Sequence, residues 1–234
     1  EEHDALRATT GYDLLGRDQS VAPNPAVPEG EFRALGLDVA LGDAVGGLGA
    51  DLAGGRGLVL RVEAGRLDAL PDPYVRAEAA LRWRVPTALR RRLFPLALDL
   101  RLSGGVSGGD LPPQRQFGID GTVLGLAPFG AFRARRGRPY AGDRYAALAW
   151  SHDFRSVPFE LLGLTALADR QIGVALHGAH GRSWDAAPGA GTAGWHHEVG
   201  LSLSGGFLLP VRLDLTTRLD EPGVFVTLGL ARLF

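Results

Sequence analysis

The residues with the most obvious chemical potential are the arginines of a short basic stretch. Residues 132–145 read FRARRGRPYAGDRY and contain Arg133, Arg135, Arg136, Arg138 and Arg144. A guanidinium forms charge-assisted, often bidentate hydrogen bonds with carboxylates. The acids that alternate with aliphatic residues elsewhere in the chain are therefore its candidate partners: Asp99, Asp153, Glu198 and Asp214. We predict that this stretch folds inward against them; a solvated loop is the alternative.

Histidines form a second group with possible chemistry. His177 and His180 lie close in sequence, and His196, His197 and Glu198 are consecutive. Imidazole and carboxylate groups are zinc ligands. In a strand, however, adjacent residues point to opposite faces, so His196 and His197 cannot share one ion. We predict polar rim residues with no metal and no cofactor.

A third possible chemistry is nucleophilic catalysis. Ser151, His152 and Asp153 have the residue types of a hydrolase triad, but neighbouring strand residues diverge and cannot form one. Ser202 and His196 share a face yet would lie about 20 Å apart at roughly 3.3 Å per residue. GxSxG, P-loop and dinucleotide-binding motifs are absent. We predict no catalytic residue and no enzyme activity.

Composition excludes several classes of protein. The net charge of −1 and the lack of aromatic residues interleaved with basic ones argue against a nucleic-acid partner. Cysteine is absent, so there is no disulfide framework, and 45% hydrophobic residues argue against disorder. No apolar run reaches the roughly 18 residues of a transmembrane helix. Methionine is absent even at position 1, so we expect a longer or processed precursor whose signal peptide lies outside this sequence.

The elements that must position these residues are strands. Aliphatic and polar residues alternate through YVRAEAALRWRV (74–85), LFPLALDLRLS (93–103) and the last hairpin, 211–234. With a weaker segment near 5–14, about ten strands are expected, each about 10–12 residues long and longer than the 5–6 typical of soluble strands. The fold class predicted is all-β, an antiparallel transmembrane β-barrel in one domain, 1–234. A soluble β-sandwich or lipocalin-like module is the alternative.

The predicted connections fall into two sets on opposite sides of the sheet. One set, at 15–31, 66–73, 105–140, 181–193 and 219–223, is the longer and is expected to be extracellular. The other set, at 43–54, 87–93, 156–168 and 205–208, is expected to be periplasmic. A short interfacial helix is expected within 155–167.

Several segments resemble the bacterial surface antigen family of outer-membrane barrels. GLGADLAGGRGLVLRVEAG (47–65) is similar to a strand-turn-strand of that family. LPPQRQFGIDGTVLG (111–125) and YAGDRYAALAWSHDF (140–154) are similar to the segment around its long inward-folding loop. Leu111, Pro112, Phe117, Gly121, Gly142 and Asp143 follow the family order. Where the family carries a Val-Arg-Gly-aromatic element, residues 123–126 read VLGL. The resemblance covers roughly 33–234 and implies the C-terminal part of a 16-stranded barrel, in a divergent branch.

The resemblance carries functional expectations. It implies a protein of the bacterial outer membrane that inserts or exports proteins, with a loop at about 105–140 folded into the lumen. The loop–lumen contacts would involve Arg133, Arg135, Arg136 and Arg138 together with Asp143, Asp153, Glu198 and Asp214. Leu228, Leu230 and Phe234 would form the C-terminal assembly signal. Expected partners are membrane lipids, lipopolysaccharide, the outer-membrane assembly machinery and an unfolded polypeptide substrate. A passive channel or structural barrel is the alternative function, followed by an outer-membrane enzyme.

Overall fold

The chain folds into one large antiparallel sheet, seen in a computed structural model. The structure describes residues 28–42, 56–91, 94–119, 121–122, 130–136, 140–170, 172–185, 194–205, 211–220 and 222–230. The strands of these residues are β1 (Phe32–Gly42), β2 (Gly57–Leu67), β3 (Tyr74–Arg91), β4 (Phe94–Gly109), β5 (Phe117–Ile119), β6 (Gly121–Thr122), β7 (Phe132–Arg136), β8 (Tyr140–Gly142), β9 (Arg144–Arg155), β10 (Gly173–Trp184), β11 (His196–Ser204), β12 (Val211–Arg218) and β13 (Val224–Leu230).

Nine of these strands form the main sheet in the order β1-β2-β3-β4-β9-β10-β11-β12-β13. Every neighbouring pair in it is antiparallel. The sheet is therefore an up-and-down meander, interrupted once between β4 and β9. β1 and β13 lie at opposite edges, so the sheet is not closed within the described residues. The prediction of an all-β antiparallel fold is confirmed, and the expected strand near 5–14 lies outside the described residues.

Residues 110–143, here called the insertion, connect β4 to β9. Its described parts contain a 3-10 helix at Pro113–Arg115, the antiparallel pair β5-β8 and the parallel pair β6-β7. The insertion begins later than the predicted position 105, because β4 continues to Gly109.

Two short helices, α1 (Val157–Leu161) and α2 (Thr165–Asp169), connect β9 to β10. They lie where an interfacial helix was expected, and Leu161 and Leu162 are 82% and 72% exposed. In the described residues no helix is long and apolar enough to cross a membrane.

The two faces of the main sheet differ sharply in chemistry. One face, here called the apolar face, exposes aliphatic side chains on successive strands, among them Leu37, Val62, Leu102, Leu213 and Val226. The other, here called the polar face, carries cross-strand neighbours such as Arg61 with Glu78 and Ser202 with Asp214. Because strand side chains alternate, the register of each pair keeps these two classes apart. Tyr74 is buried on the polar face.

Candidate functional site

The candidate site is the contact between the insertion and the polar face. β7 of the insertion lies against β11, β12 and β13, while β5 lies against β9 and β10. β5 and β7 therefore fold back over the later half of the sheet, whereas Arg115 of the insertion reaches Glu63 of β2 and Arg76 of β3. The half formed by β1, β2 and β3 shows no comparable contact with β7 among the described residues.

Arg133 is the side chain that ties β7 to the sheet. Its Nη1 donates to Ser202 Oγ at 3.0 Å and to Asp214 Oδ1 at 3.1 Å. Arg133 is 5% exposed and Asp214 is fully buried. Removing a charge from water is costly unless the charge is paired and hydrogen-bonded. This ion pair therefore offsets the cost of burying both groups.

Glu198 of β11 holds the same segment by its backbone. Its Oε1 accepts the Arg133 N–H at 2.7 Å, and its Oε2 accepts the Ala134 N–H at 2.9 Å. Both donors belong to β7, so one carboxylate replaces two strand hydrogen bonds. We call the contacts of Arg133 and Ala134 with Glu198, Ser202 and Asp214 the insertion anchor.

Asp214 stands at the centre of the anchor. Besides Arg133 it accepts the Ser202 hydroxyl at 2.6 Å and Arg212 Nε at 2.8 Å. One carboxylate thus joins the insertion, β11 and its own strand. Since Arg212 belongs to the wall and Arg133 to the insertion, Asp214 keeps a cationic partner if either arginine is removed.

His177 completes the buried network and resembles part of a hydrolase site. Its Nδ1 lies 2.9 Å from Ser202 Oγ, and its Nε2 lies 3.0 Å from Thr216 Oγ1. The single proton of Ser202 is donated to Asp214, so Nδ1 of His177 must donate to Oγ. A histidine in this state cannot take the serine proton. Ser202 and His177 are each 2% exposed, so the cluster is suited to packing rather than to nucleophilic attack.

A second part of the insertion packs through aromatic rings. Phe117 and Tyr145 lie 5.3 Å apart, and the Arg76 guanidinium lies 4.5 Å from the Phe117 ring centre. The Tyr145 hydroxyl donates to Glu78 Oε1 at 2.6 Å. A Cβ on Gly105 would lie 2.5 Å from the Phe117 ring, so the absence of a side chain in β4 makes room for it.

Asp153 and Asp143, two further acids predicted to take part in these contacts, have other described partners. Asp153 Oδ1 accepts the Arg155 N–H at 2.8 Å and stabilises the left-handed backbone of Arg155, whose φ is 52°. The Asp143 N–H donates to Asp185 Oδ1 at 3.2 Å, and its carbonyl accepts the Ser107 hydroxyl. Burial raises the pKa of Asp185, the Asp143 N–H lowers it, and the nearby Asp143 charge raises it again; the net direction is upward.

Other predicted positions are only partly described. The side chains of Arg135 and Arg136, and all of Arg138, lie outside the described residues, as do Phe234 and the 123–126 element. Leu228 lies on the apolar face with 50% exposure. Leu230 pairs with Val211 through its backbone.

The histidines predicted to be rim residues divide between the two faces. His196 Nδ1 lies 3.1 Å from Asp220 Oδ2. His197 Nδ1 lies 3.0 Å from His180 Nδ1 on the apolar face. The described residues contain no group of three potential metal ligands.

The polar face of β2, β3 and β4 contains an open cavity of about 170 Å³, lined by Val59, Arg61, Glu78, Ala80 and Arg101. Arg61 binds Asp38 at 2.8 Å and lies 3.7 Å from Glu78. The wall therefore pairs its charges locally, as predicted for cross-strand neighbours.

These features define the class of protein as an antiparallel meander with an insertion anchored on its polar face. No protein-family model matches the chain, and no curated protein matches it. The resemblance to the surface antigen family stays a prediction.

Proposed function

We propose that the chain forms the wall of a bacterial outer-membrane β-barrel that inserts or exports proteins, with its insertion held inside the lumen. On this proposal the apolar face contacts lipid and the polar face lines the interior. The insertion anchor then controls passage through the lumen.

The observation that carries the proposal is the charge distribution on the apolar face. The charged residues of its alternating rows in the described strands, Arg33, Arg66, Arg144 and Arg182, all lie within two residues of a strand end, at one rim. The rows between carry mainly aliphatic and aromatic side chains, with His152, His180 and His197 among them. Some are highly exposed, such as Leu35 at 82%. A lipid-facing charge costs about 2–4 kcal/mol at the bilayer midplane and little at the interface. This distribution suits a hydrocarbon layer.

The polar face supplies the second argument. A soluble sheet would be expected to bury its aliphatic face and to solvate its ionic face. Here the ionic face contains the fully buried groups Asp214, Glu198 and His177, while the aliphatic face is exposed. This inversion favours a protein that is surrounded by an apolar medium.

The role in protein insertion or export follows from the family resemblance and from the position of the anchor. A polypeptide that crossed the interior would meet the insertion on the β11-β12 wall. The contact of the Arg133 side chain with Asp214 would have to break for the insertion to move, whereas Glu198 binds the backbone of β7. The anchor is therefore the proposed point of control.

Conductance of the purified protein in planar bilayers tests this proposal. We expect Arg133→Ala to loosen the insertion by removing its ion pair with Asp214, and therefore to increase the mean conductance and its fluctuations. Arg212→Ala is the matched control, because it removes the other cation of Asp214 without detaching the insertion. Equal conductance in the two variants would refute control by the anchor, and failure of the wild-type protein to enter bilayers would refute the membrane location.

A passive channel is the second candidate, favoured by the open cavity bordered by Arg61, Glu78 and Arg101. In that case steady wild-type conductance would respond to charge changes there, for example Arg101→Glu, and would be insensitive to Arg133→Ala.

A further inference from the structure

A cluster of basic and aromatic side chains lies on the apolar face at the rim where β9 begins and β10 ends. Arg144 and Trp184 are direct cross-strand partners in this region. Arg182 lies two residues before Trp184 and therefore on the same face, followed inward by His180. His180 pairs with His197 of β11. The cluster thus extends across three adjacent strands.

Arg182 has an incompletely satisfied guanidinium. It lies over the Trp184 ring at 5.5 Å. Its Nε is enclosed and makes no hydrogen bond. Within the described part of the chain, neither Arg182 nor the exposed Arg144 forms an ion pair with an acid. An enclosed N–H on a cation is costly without an acceptor, so the site lacks an anionic group.

The two histidines add a neutral donor to the cluster. Trp150 Nε1 donates to His180 Nε2 at 3.1 Å, and an indole N–H can only donate. A neutral His180 therefore carries its proton on Nδ1 and donates it to His197 Nδ1 at 3.0 Å. His197 then carries its own proton on Nε2. Trp195, which is half-exposed, stacks on the His197 ring.

The acids nearest in sequence are engaged on the insertion side. Asp185 follows Trp184, and its Oδ1 accepts the Asp143 N–H. Asp220 binds Arg218 and His196, which belong to the polar face. The outward cluster consequently combines two guanidinium groups and a histidine N–H, with flanking indoles and no carboxylate of its own.

We infer that Arg144, Arg182 and His197 bind the phosphate groups of lipopolysaccharide. This inference rests on the proposed membrane location, which puts this rim in the outer leaflet. Guanidinium forks match phosphate oxygens in geometry and charge. Tryptophans are typical of the headgroup level of a membrane protein, so the indoles would flank the lipid headgroup. The guanidinium groups of Arg144 and Arg182 on this face are the donors that a phosphate would bind.

The experiment measures binding of purified lipopolysaccharide to the detergent-solubilised protein by native mass spectrometry. The double variant Arg144→Ala, Arg182→Ala should weaken binding at least about tenfold, the effect of losing one charge-assisted hydrogen bond. Arg66→Ala is the matched control. It removes an arginine from the same rim and face, opposite Arg33, which Glu31 already binds. Wild-type protein should bind phosphatase-treated lipopolysaccharide as weakly as the double variant binds the intact lipid.

Three results would overturn the inference: undiminished binding of the dephosphorylated lipid, an equal loss in Arg66→Ala, or equal competition by phosphatidylglycerol. Protease protection in phosphatidylcholine liposomes free of lipopolysaccharide separates the two proposals. A protein that inserts there but shows no lipopolysaccharide preference disproves only the lipid site. A protein that fails to insert disproves the membrane location and the lipid site together.

Discussion

Glu198 holds Arg133 by its backbone, while the Arg133 side chain turns to a different carboxylate, Asp214. The segment is therefore fixed at two independent points, one insensitive to side-chain identity and one specific for a cation. Substitution of Glu198 removes the acceptors of the β7 backbone, whereas substitution of Arg133 removes only the ion pair with Asp214. The two substitutions should therefore have different effects.

Glu198→Ala should expose the insertion to proteolysis. The change leaves two buried N–H groups without acceptors, so we expect docking to weaken by about 3 kcal/mol and trypsin cleavage within 130–136 to accelerate about a hundredfold. Glu198→Gln keeps one acceptor oxygen and should fall between. Asp38→Ala is the control, since Asp38 binds Arg61 of β2. Wild-type cleavage rates in Glu198→Ala would contradict the anchor.

Gly105→Ala should displace Phe117. The added methyl group meets the ring at 2.5 Å, so either the ring or β4 must move. We expect a loss of about 1–3 kcal/mol in denaturant unfolding, typical of overpacking. Gly108→Ala, on the same strand with nothing within 4 Å, should be neutral or slightly stabilising. Equal effects at the two positions would show that Phe117 does not require the space.

Tyr145→Phe should destabilise the sheet through the loss of one hydrogen bond to Glu78. A bond to a charged acceptor contributes about 1.5–3 kcal/mol. Glu78 retains Arg61 and Arg76 as neighbours. A double-mutant cycle of Tyr145→Phe with Glu78→Gln, followed by urea unfolding, isolates the pair. A coupling energy near zero would mean that the short contact contributes no stability.

Asp220 should make stability depend on acid pH. Burial raises the pKa of Asp220, but hydrogen bonds from Arg218 and His196 and the Arg218 charge outweigh it and leave the pKa below the usual 3.8. Its stabilisation is therefore present above about pH 4 and lost as pH falls through the lower folded-state pKa. Asp220→Asn should reduce this acid dependence by up to about 1 kcal/mol in unfolding experiments at pH 3 to 6. Identical pH profiles would refute the assignment.

The face of each strand could be predicted from the sequence because alternation is a local property. Arg61 and Glu78 can be assigned to the polar face of their strands from the sequence. The register of the β2-β3 hairpin then makes them cross-strand partners. Strand ends were less predictable. The connection was predicted to begin at 105, yet Gly105 and Gly108 continue β4, and the room above Gly105 is filled by Phe117 of the insertion.

The candidate site could be predicted only as a set of residue types. Arg133, Glu198 and Asp214 could be recognised by residue type, but the sequence does not determine which arginine of the basic stretch is buried. That choice depends on where β7 crosses β11 and β12, which alternation does not determine. The role of His177 was missed, because it depends on the joint register of β10, β11 and β12 with Ser202 and Thr216. Hydroxyl residues on the inward rows of those strands were the available signal.

The sequence separation within the insertion anchor has a kinetic consequence. Arg133 and Ala134 meet partners that are 64 to 81 residues further along the chain. The neighbouring hairpins of the meander form from nearby segments, whereas the anchor must wait until β12 is in place. Docking is therefore a late folding step, and burial of Arg133 is a marker of a sheet that has been built at least as far as β12.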